Sequence, residues 1–270
     1  MRPARRRLFC TVVATGALVL PAATVSAATF HVDDEAAAGG DCSAATPCQT
    51  IGAAVTAARG TVDTDTINIA AGLYEETVQL MNAADTGLTL DGAGSGSDPA
   101  TATILRGTSE LVLGDTTYVE NHMTARDLRV ETITSDAGGG QYSGSGIVVN
   151  AADSLLENVH AQVPAPGSSP VTGGDNAISV RQPRVTLDHV VARNPGGGRG
   201  IYSDGPDLVV RDSDIIAGDA EGSWWAATET CTCCARASPL RRTPSLRCTA
   251  RARSPRTPRC CPAGRSDCIT

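Results

Sequence analysis

Residues 185–192 read Val-Thr-Leu-Asp-His-Val-Val-Ala, and this stretch decides the fold because its pattern recurs at four other places in the chain. In each copy, alternating apolar residues lead to one turn-forming position, and in all but the shortest copy the chain then becomes apolar again. Alternation with a period of two places one row of side chains inside a sheet. The turn-forming position is held in turn by Gly92, Asp127, Asn158, His189 and Asp212.

The residue types at this position predict a sharp bend between two short strands. Gly, Asn, Asp and His are the residues that best tolerate left-handed or bridge backbone angles. The five positions are 35, 31, 31 and 23 residues apart, which is within the roughly 20–45 residues typical of stacked repeats. The unequal spacing predicts loops of different length between the repeats.

A further strand in each repeat follows a glycine-rich turn. These strands begin at Gly146, Asn176 and Gly200, and the turns before them read Ser-Gly-Ser-Gly, Gly-Gly-Asp-Asn and Gly-Gly-Gly-Arg-Gly. The unit is therefore a turn, a strand, a polar turn, a strand, a bend and a strand. Stacking such units in parallel predicts an all-β solenoid over residues 28–220.

The segment before the first repeat is predicted to cover the open apolar end of the stack. Between Gln49 and Arg59, apolar residues recur on one helical face at Ile51, Ala54, Val55 and Ala58. A solenoid requires a cap of this kind to remain soluble. The sequence thus predicts a short amphipathic helix at the N-terminal end.

Two segments at the start of the body resemble a known family. Residues 48–55 (Cys-Gln-Thr-Ile-Gly-Ala-Ala-Val) and residues 65–77 (Asp-Thr-Ile-Asn-Ile-Ala-Ala-Gly-Leu-Tyr-Glu-Glu-Thr) are similar to the entry segment of secreted bacterial pectin-lyase-like proteins. The resemblance covers residues 29–218 and implies a right-handed parallel β-helix. It implies no single activity, because that superfamily includes polysaccharide lyases, glycoside hydrolases and surface adhesins.

The two ends of the chain differ from the body. Residues 1–27 combine arginines, a short apolar run and a small-x-small site at Val25-Ser26-Ala27, which predicts a secretion signal and no membrane span after its cleavage. Residues 221–270 contain seven cysteines and nine arginines, and the strand alternation disappears. This irregular Cys/Arg-rich tail is interpreted either as a disordered segment or as the product of a frameshift. If codons ending in G or C are assumed, a shift of two bases restores a pattern similar to a repeat at residues 224–234.

Cys42 and Cys48 are the only cysteines between residues 28 and 220. They flank a short loop, and a secreted chain meets an oxidising environment, so a disulfide is predicted. A metal pair is a less favoured alternative, because no further cysteine or histidine lies near them in the sequence.

The charge of the body restricts its partners. Residues 28–220 contain 26 acidic residues and 9 arginines, and the chain contains no lysine. Nucleic acid is excluded as a partner, because phosphates require a basic face. An extracellular polysaccharide is the expected partner, although a polyanionic one would be repelled unless a cation bridged it.

No catalytic residue is predicted for the body. The Asn-Thr-Asp, Gly-His-Gly and Arg-Ile-Lys motifs of polygalacturonase-like proteins are absent from the sequence. Asp212 and Asp214, beside Arg211, form the most suggestive group for Ca²⁺, with Asp188 one repeat earlier as a neighbour. A turn-forming or solvated role for these acids is the alternative, and no other cofactor is predicted.

The sequence therefore predicts a secreted or cell-surface protein without catalytic activity that contacts carbohydrate. Two alternatives remain open at this point. One is a polysaccharide lyase or glycoside hydrolase whose site lies in repeats lost through the altered tail. The other is a purely structural solenoid or adhesin.

Overall fold

The computed structural model describes most of the body and little of the two ends. The described residues are 27–61, 64–115, 122–133, 145–163, 176–195 and 199–217, with short strand segments at 225–226, 234–235 and 246–249. All but the last residue of the predicted signal, and most of the predicted tail, lie outside the described residues.

A single α-helix, α1 (Ile51–Ala58), lies in the described residues and matches the predicted position. The Thr50 side chain accepts a hydrogen bond from the backbone N–H of Ala53, and the Glu76 carboxylate accepts from Ile51 and Gly52 at 2.7 and 2.9 Å. These bonds satisfy N–H groups that lack partners in the first helical turn. The four predicted apolar residues of the helix are buried.

The remaining elements are short strands and one 3-10 turn at Ala83–Asp85. In chain order the described strands are β1 (Thr29–Val32), β2 (Thr66–Ile69), β3 (Gly72–Tyr74), β4 (Gln79–Leu80), β5 (Thr89–Asp91), β6 (Thr103–Gly107), β7 (Leu111–Leu113), β8 (Thr124–Thr132), β9 (Ile147–Val149), β10 (Leu155–Gln162), β11 (Asn176–Val180), β12 (Thr186–Asp188), β13 (Val191–Asn194), β14 (Arg199–Ser203), β15 (Val209–Arg211), β16 (Ser213–Ala217), β17 (Trp225–Ala226), β18 (Cys234–Ala235) and β19 (Leu246–Thr249).

The strands form three rows of parallel pairs. The first row contains β1, β2, β5, the start of β8, the start of β10, β12 and β15. The second row contains β3, β6, the ends of β8 and β10, β13 and β16. The third row contains β4, β7, β9, β11, β14 and β17. Because β8 and β10 pass through the first two rows, these rows belong to one sheet, and the third row is a separate sheet.

Equivalent residues of successive repeats lie beside one another and form the core. The register of the first row stacks buried apolar side chains whose neighbours along each strand point outward. This is the alternation that the sequence predicts. The stacked residues are Ile67, Leu90, Ala125, Leu156, Leu187 and Val210.

Three of the strands lie in the segment that is predicted to be an irregular tail. β17 continues the third row in parallel with β14, whereas β19 pairs antiparallel with both β16 and β18. The antiparallel pairs depart from the order of the three rows. The predicted boundary at residue 220 stays a prediction.

α1 contacts β1 and β2, at the end of the stack where the sequence predicts a cap. Within the part of the chain that the structure describes, no helix is long and apolar enough to cross a membrane.

Candidate functional site

The bend positions form one line across the stack. Asp127, Asn158, His189 and Asp212 have φ angles of 54°, 50°, 53° and 42°, and the strand register places them side by side. Left-handed backbone angles are uncommon outside glycine, and Asn, Asp and His are the residue types enriched there. The backbone therefore turns between the first and second rows in the left-handed conformation at these four positions.

Gly92 lies in the same line but is not among the residues with a left-handed backbone. A Cβ atom at this position would lie 2.2 Å from the carbonyl oxygen of Asp127. The Gly92 N–H also donates to the carbonyl oxygen of Arg126 at 3.0 Å. Glycine is thus needed at position 92 for a close approach of two backbones and not for the sign of φ.

Side chains of the bend positions are linked across repeats. Asn158 donates from Nδ2 to Oδ1 of Asp127 at 2.6 Å, and its own Oδ1 accepts from the Ser95 hydroxyl at 3.0 Å. Both polar groups of the Asn158 amide are therefore used within the stack. This fixes the direction of the amide and leaves the second carboxylate oxygen of Asp127 for other partners.

A charged line runs beside the bend on the outer face of the first row. Arg126 contacts Asp91 at 2.6 Å, and Arg211 contacts Asp188 at 3.9 Å. The hydrogen bond that Arg126 donates to Asp91 raises the pKa of this guanidinium, which therefore stays protonated. In register order the outward residues are His31, Asn68, Asp91, Arg126, Glu157, Asp188 and Arg211.

Two cavities lie along these two lines, and we call them together the bend groove. One, of about 410 Å³, is lined by residues that include His31, Asp33, Asn68, Asp91 and Gly92. The other, of about 300 Å³, is lined by Arg126, Asp127, Glu157, Asn158 and His189. The ion pair between Asp91, which lines the first cavity, and Arg126, which lines the second, lies between the two cavities. The groove therefore follows the direction in which the repeats stack.

Asp188, His189 and Asp212 form a group that can hold a metal ion at the far end of the groove. One potential ligand atom from each lies within 4.8 Å of the others. Oδ1 of Asp188 is 2.7 Å from Nδ1 of His189, yet this buried oxygen has no hydrogen-bond partner in the described residues. One imidazole and two carboxylates are a donor set better suited to a transition metal than to Ca²⁺, which prefers oxygen ligands.

The two acids that the sequence singled out for Ca²⁺ are not brought together in this group. Asp212 belongs to it, whereas Asp214 lies in β16 of the second row and is paired with Val191. The chain bends at Asp212, so the alternation that would place Asp212 and Asp214 on one side is interrupted. Asp188 joins the group instead, as the neighbour one repeat earlier.

Cys42 and Cys48 are joined by a disulfide near the first cavity. The backbone N–H of Cys48 donates to the carbonyl oxygen of His31 at 2.9 Å, and the N–H of His31 donates to the Cys42 carbonyl oxygen at 2.8 Å. The disulfide loop is thus fixed to β1. Both cysteines are buried.

A second line of left-handed residues was not recognised in the sequence. Asp153, Arg184 and Asp207 have φ angles of 55°, 59° and 60° and precede β10, β12 and β15. They repeat at the same intervals of 31 and 23 residues as the bend positions, and this equal spacing is the signal that could have revealed them. The pKa of the Asp153 carboxyl is lowered because it accepts hydrogen bonds from the Arg184 guanidinium.

Comparison with protein-family models, curated proteins and solved structures gives no match for this chain. The resemblance to pectin-lyase-like proteins therefore depends on the two sequence segments and on the parallel rows alone.

Proposed function

We propose that this chain is a secreted or cell-surface protein with a right-handed parallel β-helix, and that it binds an extracellular polysaccharide in the bend groove without cleaving it. Three rows of parallel strands, bends at a repeated position and a helix beside the first repeat support the β-helix. The observation that carries the binding proposal is the bend groove itself.

The shape of the groove suits a linear polymer. Neighbouring parallel strands are about 4.8 Å apart, so the six strands of the first row from β1, which contains His31, to β12, which precedes His189, span roughly 24 Å. Each repeat places a side chain with hydrogen-bonding groups in the same line. A polysaccharide lying along the stack can thus form similar contacts at successive repeats.

The charge of the groove favours an uncharged glycan. Both guanidinium groups, of Arg126 and Arg211, face carboxylates of the protein. The carboxylates along the groove and its far end outnumber them, and these are Asp33, Asp91, Asp127, Glu157, Asp188 and Asp212. Hydroxyl groups of a neutral sugar can donate to these oxygens, whereas a polyuronate would be repelled. A polyuronate would need a bridging cation such as Ca²⁺, which we propose only for that case.

The absence of turnover is proposed because Arg126, the arginine that lines the second cavity, is held in its protonated form by Asp91. A base in the reaction of a polysaccharide lyase must accept a proton. Arg126 is paired with Asp91, which raises the pKa of its guanidinium above the usual value. This favours contact with the sugar and disfavours proton abstraction.

The binding test uses the full chain and neutral and acidic polysaccharides in affinity electrophoresis, with and without Ca²⁺. Glu157→Gln and His189→Ala are expected to weaken binding of the neutral ligand by roughly ten-fold each, because each removes a contact made by a group in the groove. Glu75→Gln is the matched control, since Glu75 is exposed and lies outside the groove. Equal binding by all three variants and the wild type would contradict the proposal.

The same samples test the two alternatives. Release of reducing ends or of unsaturated sugars, measured with and without Ca²⁺, would show that the chain is an enzyme. If neither binding nor turnover occurs, the structural or adhesin alternative stands. Export is tested separately by expressing the full chain in a secreting bacterium, where the mature protein is expected to begin at Ala28.

A further inference from the structure

A polar cluster on the outer face of the second row lies apart from the bend groove. Arg129 is buried, with 8% of its surface exposed, although it belongs to the outward side of β8. The other members of this group, which we call the second-row cluster, come from three further strands and from β8 itself. They are Arg106, Glu131, His160, Gln162 and Arg193.

Arg129 uses the hydrogen-bond acceptors of its neighbours. Its guanidinium donates to Nδ1 of His160 at 2.6 Å, to Oε1 of Gln162 at 2.7 Å and to Oε1 of Glu131 at 2.5 Å. Arg106 donates to Oε2 of the same Glu131 carboxylate at 2.8 and 3.0 Å. The acceptor atoms of all three neighbours are thus directed toward arginines.

This arrangement leaves only donors for an external partner at His160 and Gln162. A guanidinium cannot accept a hydrogen bond, so Nδ1 of His160 must be the acceptor, and a neutral ring then carries its proton on Nε2. The other ring nitrogen is 3.5 Å from the same arginine nitrogen, which is the longer contact. The Gln162 amide, whose oxygen is occupied, presents its NH₂ group.

The charge of the cluster is opposite to that of the body. The cluster contains three guanidinium groups and one carboxylate, of which Arg106 and Arg129 contact Glu131, while acids outnumber arginines in the body as a whole. Arg193 is exposed and lies beside Gln162 in the strand register. Burial, followed by the nearby charges of Arg129 and Arg193, lowers the pKa of His160 to about 4, so the ring is neutral at pH 7. Asp214 limits the patch, since it lies two repeats beyond His160 in the same line.

We propose that the second-row cluster binds a tetrahedral oxyanion, a sulfate or phosphate group, through His160, Gln162 and Arg193. The three side chains together offer more than two N–H donors. A carboxylate has only two oxygens to accept from them, whereas a sulfate or phosphate group has three or four acceptor oxygens and can use more of these donors. Arg129 is a positioning residue, because it orients His160 and Gln162 and adds positive charge from beneath.

Binding is tested by calorimetry on the full chain, with sodium sulfate and sodium phosphate titrated at constant ionic strength in chloride buffer. Saturable binding is expected, and Arg193→Gln is expected to weaken it roughly ten-fold or more, because a charge-assisted hydrogen bond is lost. Gln162→Glu is expected to abolish it, because the variant replaces the NH₂ donor by a carboxylate oxygen. Both variants should retain the wild-type circular dichroism spectrum.

The matched control is Arg184→Gln, which removes one exposed positive charge that is neutralised by Asp153. It should bind the anion as the wild type does. Dextran sulfate and uncharged dextran identify the source of the oxyanion: binding of dextran sulfate without binding of free sulfate indicates a glycan ester, and binding of free sulfate indicates the inorganic ion.

Three results would overturn the proposal. One is the absence of saturable binding for every probe, and another is equal weakening by Arg184→Gln and Arg193→Gln. Dextran sulfate binding that is unaffected by Arg193→Gln would also overturn it, whether or not uncharged dextran binds in the bend groove. In addition, the ¹⁵N chemical shifts of His160 should show the Nε2–H form at pH 7, and an Nδ1–H ring would contradict the described geometry. None of these outcomes depends on glycan binding in the bend groove.

Discussion

The left-handed bend at His189 can be tested by comparing two substitutions that differ chiefly in the backbone conformation they tolerate. His189 has a φ of 53°, and 64% of its side chain is exposed. Substitution by Gly or by Val removes the same exposed ring, so the two variants differ chiefly in how well they tolerate this φ. A left-handed L-residue costs about 1–2 kcal/mol, and a β-branched residue is a genuine outlier there.

The expected free energies of unfolding follow from these terms. His189→Gly relieves about 1 kcal/mol of strain but loses about 0.4–1 kcal/mol through the greater freedom of the unfolded chain, so its stability should be near that of the wild type. His189→Val keeps the strain of about 1–2 kcal/mol but avoids the entropic loss of glycine, so it should be less stable than His189→Gly by about 1 kcal/mol. The measurement is urea unfolding of the full chain, followed by circular dichroism.

A control at an extended position should give the reverse order. Thr186 is an outward residue of β12, three positions before the bend. Thr186→Gly should be less stable than Thr186→Val by about 1 kcal/mol, because glycine weakens a strand and valine favours it. If His189→Val were at least as stable as His189→Gly, the left-handed backbone at His189 would be refuted. The interpretation of the repeated position as a bend between two strands would then also be wrong.

Three further predictions concern stability. Asp85→Asn should lower the free energy of unfolding in urea by about 2–3 kcal/mol, because the fully buried carboxylate accepts two hydrogen bonds from Arg59. Breaking a fully buried ion pair costs about 3–5 kcal/mol, and the expected loss is smaller here because the Arg59 side chain is one-third exposed. Replacing both Cys42 and Cys48 by Ser should cost about 2 kcal/mol, as expected for a short closed loop, and an unchanged melting temperature would contradict this. For His160, the pKa of the folded state is lowered to about 4, so only the unfolded state binds a proton between pH 6.5 and 4. Stability should therefore fall as the pH is lowered through this window, and His160→Gln should show a flatter dependence.

Much of the strand order could be predicted because the relevant signals are local. Alternation gives the inward row, and the residue types at Asp127, Asn158 and His189 indicate the bend. Equal spacing of 31 residues between these positions also gives the register, since equivalent residues of stacked repeats lie side by side. The helix α1 was predicted from its apolar face for the same reason.

The second left-handed line could not be predicted from residue type alone. Asp153 and Asp207 are residues that tolerate this backbone, but Arg184 is not, and it interrupts the pattern of residue types. At Arg184 the conformation is accompanied by an ion pair with Asp153 in the preceding repeat. This contact joins residues 31 positions apart in the chain, so no local pattern contains it.

The composition of the candidate metal group was predicted only in part. Straight alternation placed Asp214 beside Asp212, but a bend rotates the chain between them, and the two acids belong to different rows. The place of Asp188 in the group is determined instead by the strand register between two repeats. The interval between bend positions shortens from 31 to 23 residues at this point, so the register is harder to predict from the spacing. The second-row cluster was missed for a related reason, because its members come from adjacent strands.

The two proposed surfaces lie on either side of the bend and carry opposite charge, so salt can separate them in one experiment. The bend groove is acidic and is proposed to bind an uncharged glycan. Hydroxyl groups of the sugar replace water as hydrogen-bond donors there, and no net charge is neutralised, so this affinity should depend little on salt. The second-row cluster has an excess of guanidinium groups and is proposed to bind an oxyanion, so its affinity should fall as the ionic strength rises. A sulfated glycan that spans the bend would show both behaviours, with a salt-sensitive part removed by Arg193→Gln and a salt-insensitive part removed by Glu157→Gln. If either variant removed both parts, the two surfaces would be one site, and the division made by the bend would be wrong.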